Sequence, residues 1–110
     1  MPPSTPTGPV EWVSPDTIRR VFNDGHYYER LQSGSLRAHV KRHSHCKRPP
    51  PGEPICTHSQ ILIYYNRQND AVAIVHQHLR PDHTLGASGR PDPKWLVEGG
   101  RIMAVRSLPG

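Results

Sequence analysis

Ser59 to Leu79 reads SQILIYYNRQNDAVAIVHQHL, and this stretch decides the fold. Ser59–Asn66 and Ala71–Leu79 are rich in β-branched and aromatic residues. The polar Arg67-Gln68-Asn69-Asp70 between them is turn chemistry, so the segment reads as an antiparallel hairpin. Both arms carry apolar residues on both faces, which places them centrally in a sheet. Working outward, Arg101–Arg106 (RIMAVR) is expected as the last strand. Trp95-Leu96-Val97 before it is either a helical turn started at Asp92-Pro93 or a strand turned by Gly99-Gly100. Upstream, Ser14 is a good N-cap, Pro15 suits the first helical position, and Asp16 suits the first turn. Ile18, Val21 and Phe22 then share one helical face, and Asn23-Asp24-Gly25 supplies the stop.

Between these elements lie Tyr27–Gln32 and Ser35–Arg42, which can pair as a hairpin about Ser33-Gly34; a helix through Tyr27–Leu31 is the competing reading. Leu36, Ala38 and Val40 alternate with Arg37, His39 and Lys41, as in a strand with one side in the core. Residues 43–58 leave regular structure, because prolines 49–51 and 54 exclude both a helix and a central strand. The expected architecture is α+β: an N-terminal helix packed on a twisted antiparallel sheet of about four or five strands, with long Pro/Gly-rich loops. Residues 1–13 read as a disordered tail and 14–108 as a single domain.

Composition narrows the function classes. Hydrophobic residues make up 34% and aromatics 6%, while thirteen prolines and nine glycines imply substantial irregular structure around a modest core. No stretch approaches the length of a membrane-spanning helix. The start, MPPSTPTGPVEW, lacks the pattern of a signal peptide, so the expectation is a cytoplasmic protein with no membrane partner. The formal charge is +5, and it is concentrated. From Gly25 to Arg48 six basic residues (Arg30, Arg37, Lys41, Arg42, Lys47, Arg48) face one acid, Glu29, and His26, His39, His43 and His45 lie in the same stretch. Clustered positive charge is the electrostatic footprint of a phosphate-backbone binder, with a merely solubilising basic face as the alternative.

Three constellations could carry chemistry. In the first, His43, His45 and Cys46 are followed by Cys56 and His58 across a Pro-rich loop. Two thiolates and two or three imidazoles could complete a tetrahedral zinc shell, although the spacing fits no standard finger. Two unbonded thiols are the expected state, with a disulfide as the alternative in an oxidising compartment.

The second is His76 and His78, two residues apart and therefore on one face of a strand with Val72 and Ile74. The polar run Arg80–Lys94, RPDHTLGASGRPDPK, follows them. One imidazole could take a ribose 2′-hydroxyl proton and the other could protonate the leaving 5′-oxygen. Arg80, Arg90 or Lys94 would stabilise the pentavalent phosphorus, and Thr84 or Ser88 could bond a phosphate oxygen. That constellation is a metal-independent ribonuclease site.

The third is the doubled Arg-Pro-Asp at 80–82 and 90–92, expected to form turns in which each arginine pairs with a nearby aspartate. Gly86-Ala87-Ser88-Gly89 between them could let backbone amides cradle an anion. No nucleotide fingerprint is present and no cofactor is expected, zinc at the first constellation excepted.

The run from SQILIYY through VHQHLRPDHTLGASGRPDPKWL resembles small uncharacterised proteins of actinobacteria and their phages, over roughly residues 50–106. The resemblance implies a bacterial or phage origin and a self-contained domain, and it carries no functional residue. The layout of a basic helical part before an antiparallel sheet is also loosely similar to small bacterial ribonuclease toxins, at the level of fold analogy alone. The reading that follows is a small basic protein that interacts with RNA or DNA through Arg37, Lys41, Arg42, Lys47 and Arg48, joined by Arg90 and Lys94. Tyr27, Tyr28 or Trp95 could stack bases if single strands are the target, with a place in the core as the equal alternative for each. The alternatives are the toxin-like ribonuclease using His76, His78 and Arg80, and a protein-binding module or inhibitor that turns its basic face to an acidic partner.

Overall fold

In the computed structural model, which describes residues 8–44, 52–86 and 89–106, two helices pack on one face of a six-stranded sheet. The elements run β1 (Val10–Trp12), α1 (Pro15–Asp24), α2 (Tyr27–Ser33), β2 (Arg37–His43), β3 (His58–Tyr65), β4 (Ala71–Leu79), β5 (Asp92–Glu98) and β6 (Arg101–Ala104). The strand order is β1-β6-β5-β4-β3-β2, antiparallel throughout except for the parallel pair of β1 with β6.

α1 forms as its sequence dictates. Ser14 Oγ accepts the backbone N–H of Thr17 at 3.1 Å, a cap that stabilises a helix by about 1 kcal/mol. Ile18 and Phe22, one turn apart, are fully buried against the sheet. There they meet Leu62 and Tyr64 of β3, Ala73 and Val75 of β4, Leu96 of β5 and Met103 of β6 in one cluster. The central hairpin is as expected, with β3 and β4 paired from His58–Leu79 to Tyr65–Ala71. Trp95-Leu96-Val97 is strand rather than helix.

Three expectations are corrected. Tyr27–Gln32 is not a hairpin arm: the competing helical reading holds, and Gly34 is its left-handed C-cap at φ 89°. The helix wins because Tyr27, 3% exposed, stacks on Phe22 and its hydroxyl lies 2.6 Å from both the Val97 carbonyl and Glu98 Oε2, sharing its one proton with these acceptors. β2 is not half in the core. It is an edge strand exposed along its whole length, Ala38 and Val40 included, and only Leu36 just before it is buried. Finally, Val10–Trp12 is no tail, since it pairs with Ile102–Ala104 and Glu11 holds Arg101.

One consequence of this arrangement positions the site. Both helices lie on the Leu62–Val75–Leu96 side, so the opposite face, called the open face below, carries no helix among the described residues. Strand alternation and register put Ile61, Ile63 and Tyr65 of β3, Ile74, His76 and His78 of β4, and Trp95 of β5 on that face. Val72, expected beside Ile74, packs on the core instead, because the β3–β4 register shifts at Tyr64/Tyr65.

Candidate functional site

At the end of β4 and the start of β5 a cleft of about 390 Å³ opens beside His76, His78 and Asp92. Arg19 and Asn23 of α1 and Arg90 and Pro91 from the connection complete much of its lining. Its size is in the range of small-ligand sites. The fold therefore brings together His76, His78 and Arg90, as the sequence suggested, and adds Arg19 and Asp92, which it did not.

Each group is held. The His76 and His78 rings meet edge-on at 4.8 Å, and Ser59 Oγ lies 2.6 Å from His76 Nε2, which fixes that ring from the neighbouring strand. His78 Nδ1 is buried with no hydrogen-bond partner among the described residues. Burial is the main reason His76 holds a proton less readily than a free imidazole, and the neighbouring His78 and Lys94 add to the effect while Asp92 opposes it. Arg90 Nη2 donates to Glu29 Oε2 at 2.7 Å and its Nε to Asn23 Oδ1 at 3.2 Å, with the guanidinium 5.4 Å from the Tyr28 ring centre. This pairing holds the Glu29 carboxyl below its ordinary range. Asp92 is bonded by Lys94 at 2.9 Å and lies 3.6 Å from Arg19. Lys94 sits where the β4–β5 register shifts, so a cation stands at the mouth of the sheet.

Arg80 is placed elsewhere. It makes a two-pronged pair with Glu53, at 2.8 and 3.3 Å, and the Glu53 side chain is 8% exposed. The same carboxylate presses on Gly86, where an added Cβ would come within 2.8 Å of it. The close approach expected of that glycine is real, but its partner is Glu53. Neither arginine of the doubled triplet bonds the aspartate of its own triplet: glutamates from other segments hold both. Asp82 does form the expected turn, accepting from the Thr84 amide at 3.0 Å, which leaves the Thr84 hydroxyl bonded to Asp82 as well. Ser88 lies outside the described residues.

Of the basic arm, Arg37, Lys41 and Arg42 are exposed on edge strand β2, while Lys47 and Arg48 lie outside the described residues. Arg37 stacks over the Tyr65 ring at 4.7 Å and bonds Asn69. By register Arg37, His39 and Arg42 face the same side as Tyr65, Ile63 and Ile61, so this edge shares the open face with His76 and His78.

The proposed zinc set is rearranged. Cys56 is disulfide-bonded, which corrects the expectation of two unbonded thiols and leaves it no thiolate to offer a metal. The only other cysteine of the chain is Cys46, which with His45 lies outside the described residues. His43 and His58 stack at 4.2 Å, but their Nδ1 atoms are engaged by Gln60 at 2.9 Å and by the Ser44 carbonyl at 2.6 Å. Among the described residues no cluster of three metal-ligating side chains forms.

Neither a family model, nor a curated protein, nor a solved structure matches this chain. No helix among the described residues is long and apolar enough to cross a membrane.

Proposed function

We propose that this is a nucleic-acid-interacting protein whose phosphate contact is the cleft of His76, His78, Arg19 and Arg90. The observation that carries the reading is that His76 and His78 of β4, Arg19 of α1 and Arg90 of the β4–β5 connection line one cleft, with Arg19 paired to Asp16 and Arg90 to Glu29 at its wall. Its sheet face continues into a basic strand with no acid of its own. Arginine and histidine donors suit phosphate oxygens, and a basic strand beside them extends the favourable potential along a polyanion.

A second reading, a metal-independent ribonuclease, is favoured by the paired imidazoles. His76 resists protonation and so suits a general base toward a 2′-hydroxyl. His78 would return a proton to the leaving 5′-oxygen, and Arg90 or Arg19 would stabilise the charge that develops on phosphorus. Arg80, tied to Glu53, takes no part in it.

Labelled single- and double-stranded RNA and DNA, run on gels across a salt series without added metal, test both. Retarded, intact and salt-sensitive bands support the binder. Shortened RNA that stays intact with His76→Ala and His78→Ala supports the enzyme. Bands that are neither retarded nor shortened at low salt refute both and leave the protein-partner alternative.

A further inference from the structure

The open face of the sheet has a pattern that the phosphate cleft alone does not explain. Moving from β2 toward β5 it carries Arg37 and Arg42, then Ile61, Ile63 and Tyr65, then Ile74, then Trp95. Ile61, Ile63, Ile74 and Trp95 lie outside the core cluster and are half-buried, each presenting part of its apolar surface on this face. Contiguous apolar surface with a polar rim marks an interaction site. Its electrostatics choose the partner. Of the chain's nine acids, Asp16, Asp24 and Glu29 lie on the helices, and Glu11 and Glu98 lie on the helix side or its edge. Glu53 is tied to Arg80, and Asp70 and Asp82 sit in turns. That leaves Asp92 as the one acid of the open face among the described residues, and Lys94 and Arg19 flank it. Cations stand at both ends of the apolar stretch, at Arg37 and Arg42 and again at Lys94 with the two histidines.

We propose that this face is a stacking platform for single-stranded nucleic acid, with unpaired bases laid on Trp95, Ile74 and Ile63 and on the Arg37 guanidinium that covers Tyr65, and the backbone running from the basic edge of β2 to the cleft. The proposal rests on the nucleic-acid reading above and deepens it by naming the strandedness. From β2 to β5 is three strand spacings, about 14 Å. Sheet platforms of comparable build accept two or three bases. An aliphatic and aromatic face recognises the flat surface of any unpaired base, whereas a duplex hides those surfaces inside its stack. The Arg37 guanidinium, already stacked on Tyr65, extends the platform at the β2 edge.

The test uses the emission of Trp95 in a Trp12→Phe background, which leaves one tryptophan in the full chain. The probes are a twelve-nucleotide uridine or thymidine homopolymer and a blunt duplex of equal length. The expected result is quenching of Trp95 by the single strand, with affinity at least about tenfold above that for the duplex. Trp95→Ala should weaken single-strand binding about 5- to 150-fold. Equal affinity for the duplex with unmoved Trp95 emission overturns the platform and leaves the nucleic-acid reading standing. Failure of every oligonucleotide to bind at low salt overturns both. A sedimenting species of twice the chain mass that reverts to one chain on Ile63→Glu gives the face to a second copy and also overturns the platform. Because emission is read on the folded Trp12→Phe protein, instability of Trp95→Ala does not spoil the test.

Discussion

Two buried tyrosines in one core should respond oppositely to loss of the same hydroxyl. The single Tyr27 hydroxyl proton is shared between the Val97 carbonyl and the Glu98 carboxylate, so Tyr27→Phe leaves both acceptors without it and the fold about 1–3 kcal/mol less stable in urea unfolding. The Tyr64 hydroxyl is buried with no partner among the described residues, and burial raises its pKa. Tyr64→Phe removes an unpaid desolvation cost and should be neutral or stabilising by about 1 kcal/mol. A clear loss of stability there would mean that the hydroxyl has a partner.

His76 supplies the pH dependence. Its proton affinity is lowered by folding, so as pH falls below the ordinary imidazole value of 6.5 the unfolded chain takes up this proton first. Stability should therefore decline from about pH 6.5 down to the lower folded value, and His76→Gln should flatten that part of the profile. The face shared by His76 and His78 was legible in the sequence, because strand alternation is local. Arg19 was not: it reads as the outward residue of an amphipathic helix, and only the packing of α1 against β5 brings it to the cleft. Nor was the partner of Arg80, since Glu53 comes from a Pro-rich connection twenty-seven positions away.

At the scale of elements, β2 is the part whose chemistry can be changed without touching the core. Lys41 and Arg42 are exposed, so Lys41→Glu with Arg42→Glu should leave the Tm essentially unmoved. On single strands the same pair should reduce the slope of log affinity against log salt by about 1.4, which is about 0.7 for each lost phosphate contact. An unchanged slope would remove β2 from the interface. α1 and the β3–β4 hairpin were readable because a cap, an i, i+4 apolar pair and a polar turn are all short-range signals. α2 was ambiguous for a physical reason: a Ser-Gly pair serves a hairpin turn and a left-handed helix cap equally well. The choice was made by the distant carbonyl of Val97 and carboxylate of Glu98. β1 was missed altogether. Its three residues have no meaning until they meet β6, some ninety positions along the chain.

At the scale of the whole molecule, the fold divides its surface. Helices and most of the acids occupy one side, while the other sheet face gathers imidazoles, the β2 guanidiniums and half-buried apolar side chains. The disulfide at Cys56 staples the irregular connection that precedes β3 and carries Glu53 to Arg80 and Gly86. Reduction should cost about 2 kcal/mol, read as a Tm lowered by roughly 8–16 °C in thiol reductant. A Tm indifferent to reductant would show the staple to be dispensable.

The most direct test of the central claim is residue-resolved amide NMR of the full chain titrated with a short single-stranded oligonucleotide. The account predicts that shift changes concentrate on Arg37–His43, on Ile74–His78 and on Asp92–Trp95, and fade as salt is raised. Changes confined to α1 and α2, or none at low salt, would contradict it.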